Sequence, residues 1–280
     1  MSGEQLDAAP LLDARRMSFN QATAERATLP EVVESCARHG VPSVGVWRHK
    51  LQETGVERAA RLVRDAGIAV SSVCRGGMFP ARTGAERQTR IDDNRRAIDE
   101  AAALGAPVLV LVCGAAPDRD ISGARAMVRD GIAVVEAHAK ERGVMLGIEP
   151  LHPAFAAERS CITTLREARL LAEQFDPASV GVVVDVYHVW WDPERADEIS
   201  RLGPRTVGYH VNDWLVPSRD VLMGRGMMGD GVIDLRAIRG EVERATYDGP
   251  IEVEIFNDRI WSIPVDELVQ LTRDRFIACA

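Results

Sequence analysis

The stretch VGVVVDVYHVWW, residues 180–191, is a run of valines that ends abruptly in a carboxylate, a tyrosine, a histidine and two tryptophans. A short apolar run with this composition reads as a buried strand. Asp185 then stands at the C-terminal end of that strand, where an ionised group is out of place unless something there requires it. The same design recurs along the chain. Strand-like runs fall at 16–21, 43–48, 69–75, 107–113, 144–150, 180–187, 206–213 and 250–256, with amphipathic stretches such as 56–67, 91–105 and 163–175 between them. Several of these stretches stop at glycine (CARHG, VRDAG, AALG, KERG), the residue that most readily adopts the left-handed conformation that ends a helix.

Eight alternating units imply parallel strands joined by right-handed crossovers. In 280 residues they suit a closed (β/α)8 TIM barrel of the α/β class. An open dinucleotide-binding sheet would show G-x-G-x-x-G after its first strand, and SFNQATAERATLP has none. Residues 1–15 read as a loosely held leader and 16–280 as one barrel domain.

Composition narrows the function. No apolar run reaches the roughly 18 residues a membrane span needs, and the N-terminus lacks the basic and apolar regions of a secretion signal. Five cysteines without CxxC spacing suggest reduced thiols, so a cytoplasmic protein is expected. A formal net charge of -8 argues against nucleic acid as partner. Lys50 and Lys140 are the only lysines, which leaves few candidates for Schiff-base chemistry.

Alternation along the last four strand runs answers the question Asp185 raises. One face of each is apolar: Val144, Leu146 and Ile148; Val180, Val182 and Val184; Val207, Tyr209 and Val211; Ile251, Val253 and Ile255. The opposite faces carry Glu149, Asp185, His210 and Glu254 toward their C-terminal ends. In a barrel these converge inside the mouth, on the face where such enzymes place their chemistry. Three carboxylates brought so close repel one another, and a divalent cation removes the conflict. Carboxylates with one imidazole suit Mn²⁺ or Mg²⁺, with Co²⁺ or Zn²⁺ as alternatives. Glu252, one layer deeper, either holds His210 or an arginine, or closes a buried ion pair. All five tryptophans (Trp47, Trp190, Trp191, Trp214, Trp261) fall at or beyond strand ends. With Phe79 and Phe155 they could line the mouth or pack its loops, or a neighbouring subunit, and a homo-oligomer is expected.

At these residues the sequence resembles the xylose isomerase-like sugar isomerase/epimerase barrels, which include the ketose 3-epimerases. The resemblance runs from about residue 16 to the end and is strongest in GIEPLHP (147–153), DVYH (185–188), GYHVND (208–213), GDGVIDL (229–235) and GPIEVEIF (249–256). It implies that Glu149, Asp185, His210 and Glu254 hold one divalent metal, Mn²⁺ first, and that His188 binds substrate. The chain departs from the epimerases after His210, where WLVPSRDVLMGRGMMGDG replaces a short loop. Arg219 and Arg225 both become candidates for the epimerases' substrate arginine. The epimerases' acidic residue after the first metal Glu has no placed counterpart, since Glu158 lies beyond HPAFAA.

The expected reaction is that of a metal-dependent sugar isomerase or epimerase. Glu149 and Glu254 would move a proton next to a carbonyl through a metal-stabilised enediolate, while His188, Arg225, His152 and Trp47 bind a small carbohydrate or polyol. A lyase on the same scaffold, a dehydratase or a keto-glycoside-cleaving enzyme, is the alternative. Apurinic endonucleases share the barrel, but they need three metals, many histidines and a basic groove; six histidines and an acidic balance weigh against that activity. A non-catalytic subunit would have no use for the four ligands.

Overall fold

The computed structural model describes residues 13–280. The expected leader lies outside the described residues as far as residue 12, and Ala14 is already buried against the core. Eight parallel strands form the barrel, the first seven being β1 (Met17–Asn20), β2 (Ser43–Trp47), β3 (Ala69–Gly77), β4 (Val108–Val112), β5 (Met145–Glu149), β6 (Val180–Asp185) and β7 (Thr206–Val211). A short antiparallel ribbon, β8 (Asp213–Trp214) and β9 (Arg225–Gly226), follows before the last barrel strand, β10 (Ile251–Val253). β10 pairs with β7 and β1, and this closes the ring. The helices between strands are cut where the sequence suggests. Gly40 and Gly143, the glycines of CARHG and KERG, cap their helices at φ 66° and 69°.

The core lies between the sheet and the outer helices. Leu109, Leu111, Leu146, Ile148, Val182 and Val184 are all fully buried there. Inside the barrel a smaller apolar layer of Val108, Val110, Val183 and Cys74 is flanked by Met145 and Val207.

Three breaks in strand register set what the barrel shows to its interior. In β7 the pairing with β6 skips Val207, which therefore turns inward beside Val183 instead of facing the helices. Small residues make room for it: a Cβ on Gly181 would stand 2.3 Å from Val207. In β3 the pairing with β2 skips Ser71, and this lets Ser71 and Ser72 reach the same interior carboxylate. Further along β3 the pairing with β4 skips Arg75.

The insert after β7 is organised by Asp213. Its buried carboxylate accepts hydrogen bonds from the amides of Gly229 (3.0 Å), Gly231 (2.9 Å) and Ile233 (3.0 Å), which ties the ribbon to the GDG turn. The segment 215–224 is thereby held as a flap over the mouth. Val221 and Leu222 pack on Val112, Leu151 and Phe155. The Tyr187 hydroxyl donates to the Val221 carbonyl at 2.8 Å.

Candidate metal centre

Strand geometry places the four candidate ligands. Glu149 and Asp185 end β5 and β6, His210 is the penultimate residue of β7, and Glu254 lies one residue beyond β10. Inward-pointing side chains from neighbouring strands meet at one level because adjacent parallel strands are staggered round the ring. Asp185 and Glu252 pair directly with His210 from either side. All four candidates are buried, and one ligand atom from each lies within 4.8 Å of the other three.

The donor set fits a cation. Glu149 Oε1 and His210 Nδ1 face each other at 3.2 Å, buried, and neither makes a hydrogen bond. Two orphaned polar atoms aimed at one point are costly unless a further partner sits between them. The far side of the imidazole turns to Glu252, whose Oε1 is 3.9 Å from His210 Nε2. Glu252 is fixed by the Asn20 amide, by Ser71 Oγ at 2.7 Å and by Ser72 Oγ at 2.9 Å. Glu252 faces His210 and no arginine reaches it among the described residues, so the contact to the imidazole serves either of the two roles open to it. A carboxylate behind a ligating imidazole fixes its tautomer and strengthens it as a ligand.

Electrostatics within the cluster are uneven. Burial pushes Glu254 up to about 7, with Glu149 and Asp185 adding to the rise and Arg225 and His210 opposing it. Burial works against a charged His210, yet Glu252, Glu149 and Glu254 outweigh it and raise the imidazole to about 10. Burial and Arg225 hold His188 down at about 3 despite Asp185, so this ring is neutral. Asp185 stays below its ordinary value: burial opposes ionisation, but Arg225, His188, His210 and the Tyr187 amide favour it.

Of the two arginines in the insert, Arg225 reaches the centre. Its Nη1 is 2.9 Å from both Asp185 Oδ2 and Glu254 Oε2, and its Nη2 is 3.2 Å from His188 Nε2. The guanidinium is stacked between the rings of Tyr187 (4.7 Å) and Phe256 (4.9 Å). Arg219 is exposed on the flap. His188 is buried, and its Nδ1 accepts from the His152 amide at 3.1 Å. The His152 ring itself packs against Trp191 and Trp214 and does not line the site cavity; its backbone, not its imidazole, touches the site.

The aromatic residues divide. Trp47 and Phe155 border the cavity, and Trp47 Nε1 donates to Asn20 at 2.9 Å. Trp190, Trp191, Trp214 and Trp261 hold loops together, for example through the stack of Trp214 on Tyr187 at 4.7 Å. Phe79 is fully buried beneath Gly131 of the helix Ile121–Arg142, away from the mouth, because β3 delivers it to the helix layer.

A small cavity lies beside the cluster. Its walls include four residues that the sequence did not single out: Arg75, Arg159, Leu222 and Phe256. Arg159 adjoins Glu158, and Phe256 continues the alternation past Glu254, so position alone gave a hint. The skipped pairing at Arg75 has no sequence signature.

Comparison with known proteins agrees with this architecture. The profile of the xylose isomerase-like TIM barrels matches residues 33–276. A solved structure from Sinorhizobium meliloti superposes with a TM-score of 0.93 at 46% identity, over 96% of this chain and 99% of that one. A 3-dehydroshikimate dehydratase of Pseudomonas putida is 28% identical over 246 residues, which are 85% of this chain but only 37% of that protein. A 3-dehydro-D-guloside 4-epimerase of Escherichia coli is 22% identical over 218 residues, 73% of this chain and 79% of that one. The chain thus spans well under half the length of the curated dehydratase. Its relatives include enzymes of more than one reaction type. The chain belongs to the xylose isomerase-like TIM barrels.

Proposed function

We propose that this protein is a divalent-metal-dependent isomerase or epimerase that moves a proton on the carbon beside the carbonyl of a small polyhydroxy ketone. The observation that carries the reading is the cluster itself. Glu149, Asp185, His210 and Glu254 share one point, with two orphaned atoms facing across it. Mn²⁺ is the first ion to supply, since oxygen donors dominate the set.

When bound, the ion supplies positive charge that acidifies the carbon acid and lowers the cost of the enolised substrate. The chain's own groups do the rest. Glu254 and Glu149 are carboxylates on strands separated by β6 and β7, so they approach the site from different sides. One takes the proton and the other returns it; in the reverse direction they exchange tasks. Neutral His188 and the stacked Arg225 hold substrate oxygens in place. The flap, with Leu222 and Val221 over the mouth, keeps bulk water from the enolised species.

A lyase reading, in which the enolised substrate expels a β-hydroxyl, is favoured by one specific observation: the names of the curated relatives at 28% and 26% identity are dehydratases. The test for the shared first step is incubation with Mn²⁺ and a panel of ketoses and polyhydroxy keto acids in D₂O, followed by NMR. Deuterium at the carbon next to the carbonyl is expected, and its absence for every substrate would overturn the reading. Exchange without loss of hydroxyl marks an isomerase or epimerase, and appearance of an unsaturated product marks a lyase.

A further inference from the structure

Arginines that are not fully exposed in this protein almost always have partners. Arg16, Arg48, Arg87, Arg125, Arg169, Arg195, Arg225, Arg239, Arg273 and Arg275 lie against carboxylates. Arg90 and Arg205 donate to backbone carbonyls. Among the described residues only Arg75 and Arg159 break the pattern: each is half-buried, and neither guanidinium makes a hydrogen bond or ion pair.

Both line the cavity that holds Glu149, Glu254, His188 and Arg225. Arg75 is the residue skipped in the pairing of β3 with β4, and such a bulge re-aims a side chain out of the strand's alternation. Arg159 leaves the loop after β5 with its guanidinium 5.9 Å from the Phe155 ring. Burial, Arg75 and Arg225 bring Arg159 below its ordinary value, and Glu254 across the cavity only partly offsets them; no carboxylate lies within ion-pair distance of either guanidinium. Two like charges facing a small, partly desolvated space are unfavourable in the free protein, and an anionic group on the ligand removes the penalty. Arginine's fork also matches a carboxylate bidentately.

The geometry points to a carboxylate on the substrate, held by Arg75 and Arg159 while the keto-hydroxy end meets the four-residue cluster. This assignment rests on the enolising function proposed above and narrows its substrate to a small polyhydroxy keto acid. Neutral ketoses leave the two guanidinium groups unpaired and are poor ligands. Trp47, Cys74 and Arg75 also border a second pocket, beside the helix Gly84–Ala103.

Calorimetry on the Mn²⁺-loaded protein tests this with D-glucose, D-glucuronate and D-glucose 6-phosphate, which differ only at carbon 6. D-glucuronate should bind at least about tenfold more tightly than D-glucose, as expected for charge-assisted hydrogen bonds. Arg75→Met and Arg159→Met should each lower the glucuronate-to-glucose affinity ratio about tenfold, and Arg159→Lys should restore part of it. Equal binding of the acid and the neutral sugar, a ratio that the substitutions leave unchanged, or a preference for the phosphate ester would each overturn the assignment. Deuterium exchange separates the two proposals. Carboxylate selectivity lost in the Arg variants but with no exchange on any ketose or keto acid leaves the anion subsite standing and sinks the enolising function. Exchange that is equally fast on neutral ketoses does the reverse.

Discussion

Metal uptake should be steeply pH-dependent, because the ion must displace protons that the empty cluster holds. His210, raised to about 10, carries a proton throughout the neutral range, and Glu254, at about 7, is half-protonated at neutrality. Both must be deprotonated to ligate. Between pH 7 and pH 10 one proton leaves per ion bound, and below pH 7 nearly two leave, so apparent affinity should fall about a thousandfold between pH 8 and pH 6. Calorimetry of EDTA-stripped protein with Mn²⁺, run in buffers of different ionisation enthalpy at each pH, counts the released protons directly. The same raised values fix how the metal-free fold responds to pH. Each raised group contributes stability that is complete below its unfolded value and is lost as pH rises through its folded value: from about 4.5 to 7 for Glu254 and from about 6.5 to 10 for His210. The melting-temperature gap between Mn²⁺-loaded and stripped protein should therefore widen as pH rises. An affinity that is flat from pH 6 to pH 8, with no buffer-dependent heat, would refute the reasoning.

Two substitutions probe how the chain supports the cluster. Arg225→Met removes the cation between Asp185 and Glu254, so the stripped protein should lose about 3–5 kcal/mol in urea denaturation, and bound Mn²⁺ should recover much of that loss; equal losses with and without metal would contradict this. Gly45→Ala would put a Cβ 2.0 Å from Glu252 Oε1 and drive that carboxylate from His210. Mn²⁺ affinity should fall about 10- to 100-fold with the four ligands intact, and an unchanged affinity would show that Glu252 does not orient the imidazole.

Much of the architecture was legible because period-2 alternation and barrel geometry are both local rules. Glu149, Asp185, His210 and Glu254 lie in phase on their own strands, so their convergence follows from alternation alone. What escaped lies where the period breaks. Val207 was assigned to the helix-facing side, and the skipped pairing in β7 turns it inward. Ser71 and Ser72 serve one carboxylate together, which strict alternation forbids. Arg219 and Arg225 are equivalent in the sequence of the insert; Asp213 and the ribbon decide between them by bringing Arg225 under the flap. The missing partners of Arg75 and Arg159 are a property of the folded surface, invisible in the order of residues. The tryptophans illustrate the opposite case: their shared position at strand ends is real, but most of them spend it on loop packing.

The most direct test is anomalous diffraction at the manganese edge from crystals grown with Mn²⁺. One peak within bonding distance of Glu149, Asp185, His210 and Glu254 is the expected result. Density at that point without anomalous signal, or a peak elsewhere with the four side chains turned apart, would contradict the account.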